Sequence, residues 1–121
     1  MTREELLQYV KETYDTDPEY LWMKTPNFAV LRHKGSRKWY GILMDLPRKT
    51  MGLSGEGIID ILNVKCDSGM IFSLLDQDGF FPAYHMNKQH WISIALSGVV
   101  PESEIRVLLS ASYEMTEAAL K

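Results

Sequence analysis

The sequence has one cysteine, Cys66, among its 121 residues, which excludes an internal disulfide. It has no run approaching the roughly 20 consecutive apolar residues that a membrane-spanning helix needs. Its first residues, 1–5, are polar and lack the apolar core of a signal peptide. We therefore expect a protein of the reducing cytoplasm that does not contact the membrane.

Motifs of the common catalytic and cofactor sites are also missing. There is no serine elbow, phosphate-binding loop or dinucleotide fingerprint, and no lysine follows the glycines of 52–57. His85 and His90 are five positions apart, which is not the spacing of a structural zinc site. We therefore expect no catalytic residue, no metal and no cofactor.

Cys66 leaves two alternatives open. The neighbouring Lys65 and the start of a helix would both lower the pKa of its thiol and activate it. An apolar strand leads into it, however, and lone cysteines are most often buried and inert.

Length and composition indicate one globular domain spanning residues 1–121. The hydrophobic fraction is 45% and the charged fraction 24%, as in ordinary soluble domains. There are no repeats and no low-complexity tracts.

Local signals divide the first half of the chain. Thr2 and Glu5 form a capping-box pattern, which predicts an amphipathic helix over 3–14 that ends before Pro18. Extended segments are predicted at 19–24, 28–33, 38–45 and 58–65. The turn at 34–37 makes a hairpin, in which Gly35 is expected to take the positive φ. Residues 46–57 are predicted to form a loop.

The second half repeats the alternation of helix and strand. Asp67 is predicted to cap a short helix whose apolar face carries Met70, Ile71, Leu74 and Leu75. A strand follows at 91–96, and Pro101 begins the last helix. The order predicts an α+β fold, α-β(3)-α-β(2)-α, with an antiparallel sheet that helices cover on one face. The other face is expected to be open for a partner.

Positive charge is concentrated in the middle of the chain. Residues 23–50 contain seven basic residues and one acid, although the whole chain has a net charge of −3. Such a segment indicates an anion-binding face, or alternatively a solvated hairpin whose charges keep a strand edge from pairing. The candidate phosphate contacts are Arg32, Lys34, Arg37, Lys38, Arg48, Lys49 and Lys88.

A dense polar run, 84–91, precedes the predicted strand at 91–96. Its candidate ligand-binding or loop-organising residues are Tyr84, His85, Asn87, His90 and Trp91. For His90, the more ordinary interpretation is a structural histidine bonded to a backbone carbonyl. Trp39 and Tyr40 are adjacent in a strand and must face opposite sides of the sheet, so one is expected to pack in the core and the other to stack on a base or cover the sheet.

Three pieces of sequence resemble the MmcQ/YjbR family of small bacterial proteins: 84–96, 65–67 and 100–113. The resemblance implies a frataxin-like (CyaY-like) α+β fold and DNA binding through a double-wing motif. The 32–38 turn would be one wing, and the approach from Tyr84 to Trp91 would lie near the other. No catalytic residue is implied. The acidic composition argues against general duplex binding.

Three functions therefore remain open. The chain is predicted to be a nucleic-acid-binding module that uses its basic hairpin. Alternatively, it is a protein- or peptide-binding, chaperone-like module or homodimer that uses the open sheet face. The third alternative is a small-molecule or metal site near His85 and His90.

Charge reversal at Arg37 and Lys38 tests the hairpin wing. If these side chains neutralise phosphates, R37E/K38E should weaken DNA binding and flatten its dependence on salt. Fluorescence anisotropy over a salt series measures both effects, and unchanged affinity and slope would mean that the hairpin is not the contact surface.

Overall fold

The computed structural model of the chain describes residues 1–118, which form three α-helices and five β-strands. The helices are α1 (Arg3–Tyr14), α2 (Ser68–Leu74) and α3 (Glu102–Ala118). The strands are β1 (Ala29–Arg32), β2 (Trp39–Pro47), β3 (Ile58–Lys65), β4 (Phe80–Pro82) and β5 (Trp91–Ala95), and a 3-10 turn covers Arg48–Met51.

The five strands form one antiparallel sheet in the order β1-β2-β3-β5-β4. Because every neighbouring pair is antiparallel, the sheet needs no parallel crossover helix. The predicted α+β class and the order α-β(3)-α-β(2)-α are confirmed. No helix within residues 1–118 is both long and apolar enough to cross a membrane.

All three helices pack on one face of the sheet. Leu6 and Val10 of α1, Ile71 of α2, and Ile105 and Leu109 of α3 join the main hydrophobic core there. The core side chains of β3 and β5 alternate with residues that face the other way, as the pleat requires. The prediction that helices cover one face is therefore confirmed.

The other face of the sheet is not bare. A second cluster contains Ile42, Met44, Leu46, Ile59, Ile61 and Ala95. Side chains of the irregular segment 20–28 and of the loop 83–90, among them Phe28 and Met86, pack on it. Loops therefore cover part of this face, whereas the sequence predicted that the face is open.

Trp39 and Tyr40 lie on opposite faces of the sheet, next to an irregularity in the pairing of β1 with β2. Leu31 pairs with Gly41 but Arg32 pairs with Trp39, so the register shifts by one residue at Tyr40. Tyr40 is fully buried in the core on the helix side, and Trp39 packs with the second cluster. The prediction that one of the two aromatic residues packs in the core is confirmed.

Two local predictions in the first half are wrong. Residues 19–24 form no strand, because this segment pairs with the sheet only at the bridge between Glu19 and Val30. In the hairpin the positive φ falls on Arg37, at 67°, and not on Gly35. The amide of Arg37 donates to the carbonyl of His33 (3.0 Å), and its guanidinium pairs with Glu19. These contacts hold Arg37 in a conformation that glycine adopts more easily.

Predictions for the second half are closer. Asp67 caps α2 as expected, and its carboxylate accepts from the amides of Gly69 (3.1 Å) and Met70 (3.3 Å). The apolar face of α2 is narrower than predicted, because the side chain of Met70 is 47% exposed. A helix of seven residues turns too few of its side chains towards the sheet to bury them all.

His33 links the hairpin to α3. Its Nε2 lies 2.7 Å from Oγ1 of Thr116, and its ring centroid lies 4.1 Å from that of Tyr113. The Thr116 hydroxyl donates to the carbonyl of Ser112, so it accepts from His33. Burial lowers the pKa of His33, while the carboxylate of Glu117 acts in the opposite direction.

The lowered pKa of His33 predicts a loss of stability in mild acid. Between the folded-state pKa and the unfolded value of about 6.5, the unfolded chain binds more protons, so stability should fall with falling pH. Urea unfolding of wild type and H33Q at pH 7.5 and 5.5 measures this loss. H33Q should show a smaller loss than wild type, while the exposed-site variant H90Q should behave like wild type. Equal losses in H33Q and wild type would contradict the assignment.

Candidate nucleic-acid interface

Three of the four cations of the predicted hairpin wing are engaged in ion pairs, and Lys38 is the exception within residues 1–118. Lys34 pairs with Asp15, which follows α1. Glu19 pairs with Arg37 at 2.9 Å and with Arg32 at 3.6 Å. A phosphate would have to compete with these carboxylates. The hairpin therefore presents less net positive charge than its sequence indicates.

The other predicted phosphate contacts differ in their surroundings. Nε of Arg48 donates to the carbonyl of Ser54 (2.9 Å), within its own loop. Lys38, Lys49 and Lys88 are exposed and make no ion pair within residues 1–118. These three ammonium groups can therefore approach a phosphate without first leaving a carboxylate.

A groove of about 590 Å³ crosses the sheet face opposite the helices. Its floor is made by Ile42 and Met44, which belong to the second hydrophobic cluster. We call it the aromatic groove, after the ring systems in its lining. The lining residues are Trp22, Lys24, Thr25, Pro26, Phe28, Trp39, Ile42, Met44, Asp45, Leu46, Pro47, Tyr84, His85 and Met86.

Two groups of rings border the aromatic groove. The ring of Trp22 lies edge-to-face with those of Trp39 (6.0 Å) and Phe28 (6.2 Å). Tyr84 and His85 stack in parallel, with centroids 3.9 Å apart and an angle of 11°. The guanidinium carbon of Arg32 lies 5.5 Å from the ring centroid of Trp39. The groove is thus rich in flat π surfaces, with a cation over one of them.

A buried polar network fixes the position of Tyr84. Nδ2 of Asn63, in β3, donates to the carbonyl of Tyr84 (2.9 Å). The amide of Tyr84 donates to Oγ of Ser93 (3.0 Å), and the Ser93 hydroxyl donates to Oδ1 of Asn63. Asn63 and Ser93 are fully buried, so this network ties the backbone of the loop to the middle of the sheet.

The structure separates the two histidines of the polar run. His85 lines the aromatic groove and also a neighbouring depression that contains Lys88. His90 lies in another depression, beside Phe72 of α2. His90 is exposed, so the interpretation of it as a structural histidine is wrong for its ring. Its backbone carbonyl does accept from the amide of Cys66 (2.8 Å).

The other candidates of the run have separate roles. Asn87 organises the loop, since its Oδ1 accepts from the amide of Gln89 (2.8 Å) and its carbonyl accepts from the amide of Trp91 (2.9 Å). Trp91 is half-buried and pairs with Lys65 in the sheet, outside the groove. Among residues 1–118, no three His, Cys, Asp or Glu side chains are placed to share a metal ion.

Cys66 is not activated. Its side chain is buried, and burial raises the pKa of the thiol, with the nearby Asp67 carboxylate acting in the same direction. The expected effects of Lys65 and of the helix start are therefore outweighed by the loss of solvation.

Sequence reasoning missed four residues of this site. Trp22 and Lys24 belong to the segment 19–24, which lacks a clear periodicity and for which the sequence predicts extended structure. Asn63 and Ser93 are polar residues within apolar strands, at positions whose side chains face away from the helices. A buried polar residue in a central strand needs a partner, and that requirement is a signal the sequence does contain.

Comparison with known proteins places the chain in a group of small bacterial proteins. A family model described as YjbR matches residues 11–115. The uncharacterised protein YyaQ of Bacillus subtilis is 45% identical over 117 residues, which are 97% of this chain and 99% of that protein. The uncharacterised protein YjbR of Escherichia coli K12 is 46% identical over 33 residues, or 27% of this chain and 28% of that protein.

Solved structures show the same architecture. A crystal structure of a Pseudomonas syringae protein superposes with a TM-score of 0.93 at 39% identity and covers 96% of this chain and 99% of its own. Deinococcus radiodurans protein DR2400 superposes with a TM-score of 0.70 at 22% identity, covering 93% of this chain and 75% of its own. The second likeness shows the fold alone.

The network between Asn63, Ser93 and Tyr84 predicts coupled losses of stability. N63A leaves the Ser93 hydroxyl and the Tyr84 carbonyl without their buried partner, which should cost about 1–3 kcal/mol. The double variant N63A/S93A should cost less than the sum of the single variants, because both remove the same network. Urea unfolding measures the cycle, with Q77A, at an exposed amide outside the network, as the control. Strict additivity would contradict the network.

Proposed function

The chain belongs to the YjbR family, and we propose that it is a non-enzymatic, cytoplasmic protein that binds nucleic acid. The observation that carries the proposal is the set of lysines around the aromatic groove that form no ion pair within the part of the chain that the structure describes. Lys24 lines the groove, and Lys88 lines the neighbouring depression together with Tyr84 and His85. The family resemblance implies DNA binding, and this geometry indicates where phosphates would be held.

Two further lysines are sequence neighbours of residues that line this surface. Lys38 precedes Trp39 of the groove, and Lys49 precedes Thr50 of the neighbouring depression. Lysine ammonium groups presented on one face are the electrostatic requirement for phosphate binding. In this proposal the wing includes the base of the hairpin and the sheet face, while the cations of its tip remain paired with carboxylates.

The acidic net charge is compatible with this surface because the charges are segregated. Ten of the sixteen acids lie in 3–19 and 102–117, which comprise α1, the segment that follows it, and α3. Both helices pack on the face of the sheet opposite the groove. A nucleic acid on the groove face would therefore approach mainly lysines, although Asp45 also contributes to the lining.

A second candidate function is supported by exposed apolar side chains. Tyr20 and Met23 are 53% and 97% exposed, on either side of Trp22 at the groove. Such a patch is also typical of a surface that binds a protein or a second copy of the chain. Salt separates the two functions, because phosphate binding weakens steeply with ionic strength and apolar association does not.

Matched pairs of lysine substitutions test nucleic-acid binding. K49Q/K88Q removes two charges that form no ion pair within residues 1–118, one of them in the depression beside the groove, whereas K11Q/K34Q removes two charges that carboxylates already neutralise. If each of the first two lysines contacts one phosphate, the logarithmic salt slope for duplex DNA should fall by about 1.8 in K49Q/K88Q and change little in K11Q/K34Q.

Fluorescence anisotropy with labelled single-stranded and duplex oligonucleotides, from low to near-physiological salt, measures these slopes. Equal effects of the two double variants would show that net charge alone matters. Absence of binding at low salt would overturn the proposal and favour a protein partner.

A further inference from the structure

We propose that the aromatic groove stacks unpaired bases, so that the preferred ligand is single-stranded nucleic acid. This inference rests on the proposed function and names the form of nucleic acid that the site selects. The inference is drawn from one juxtaposition: two groups of aromatic rings lie over an apolar floor, and lysines lie beside them.

The ring geometry leaves flat surfaces available. The rings of Trp22 and Trp39 meet edge-to-face at 82° and Arg32 lies over the ring of Trp39, whereas Trp22 is 39% exposed and offers ring surface to a ligand. In the second group of rings, the exposed His85 stacks on the half-buried Tyr84. The face of the imidazole that does not contact Tyr84 is therefore available to a ligand. A planar base can stack on either surface.

Duplex DNA cannot use these surfaces. Within a duplex each base is stacked on its neighbours, so it offers a protein its edges and no free face. Aromatic side chains that hold bases face-on therefore select unpaired strands, as they do in recognition of single-stranded RNA and DNA. The groove volume of about 590 Å³ is also that of a site for a compact planar group.

Charge complementarity specifies the rest of the ligand. A single strand carries a phosphate beside every base, and Lys24 and Lys88 lie beside the rings. The carboxylate of Asp45, the acid in the lining, accepts from the amide of Asn27 (3.0 Å). An uncharged aromatic ligand would leave the lysines unused, so the observations favour a polyanion with planar side groups.

Two variants remove ring surface without disturbing the core. W22L alters a side chain that is 39% exposed, and H85N suits the left-handed backbone at position 85, where φ is 56°. Asparagine tolerates this conformation, whereas alanine would add strain. The matched controls are F72L, at an aromatic residue 80% exposed on α2, and H90N, at an exposed histidine outside the groove.

The expected result is a preference of the wild type for single strands that the two ring variants reduce. Loss of one stacked base should weaken single-strand binding about 5- to 150-fold. Duplex affinity should stay unchanged, and F72L and H90N should match wild type. Thermal unfolding checks that the variants are folded. If W22L does not fold, the single-strand affinity of H85N alone tests base stacking.

Tryptophan fluorescence gives a second readout that does not depend on affinity. Trp22 and Trp39 lie in the groove and Trp91 does not. A single-stranded oligonucleotide should quench the emission of the wild type, and in W22F/W39F the remaining Trp91 should respond little.

The failures of the two proposals are distinguishable. If K49Q/K88Q loses affinity but W22L and H85N keep the wild-type preference and quenching, nucleic-acid binding stands and base stacking is overturned. If no oligonucleotide binds at low salt, both proposals are overturned.

Discussion

The buried amide of Asn63 is the constraint on which the candidate site depends. It lies fully buried in the central strand β3, on the face without helices, and therefore must find partners inside the protein. Those partners are the hydroxyl of Ser93 and the carbonyl of Tyr84. Leaving either partner unbonded inside the protein would cost about 1–3 kcal/mol. One polar residue in the sheet thereby fixes Tyr84 and His85 over the apolar floor.

Charge pairing decides which cations remain available. Asp15 and Glu19 follow α1 and lie beside the hairpin, where they pair with Lys34, Arg37 and Arg32. These pairs are exposed and individually weak, but they place carboxylates where a phosphate would have to lie. The distribution of charge along the sequence therefore overstates the positive potential of the hairpin tip. The lysines near the groove form no ion pair within residues 1–118, because the acidic helices pack on the other side of the sheet.

The sequence predicts most of the fold because its signals are local. The capping box of Thr2 and Glu5 appears in the structure as both reciprocal hydrogen bonds, and α1 occupies 3–14 as expected. The aromatic groove is less predictable because its walls come from segments far apart in the chain. Trp22 precedes β1 while Tyr84 follows β4, and only the tertiary fold brings them to one surface.

The same distinction explains two of the three non-glycine residues with positive φ within residues 1–118, Arg37 and His85. Each conformation costs about 1–2 kcal/mol, so each needs compensation from tertiary contacts. Arg37 obtains it from Glu19, 18 positions earlier in the chain. His85 stacks its ring on Tyr84 and remains exposed, a contact that offers little stability in water. The compensation comes through its neighbour Tyr84, because the backbone bonds of Tyr84 to Asn63 and Ser93 hold the loop on the sheet. Neither conformation could be predicted from the sequence, because in both cases the compensating contacts join segments that are far apart in the chain.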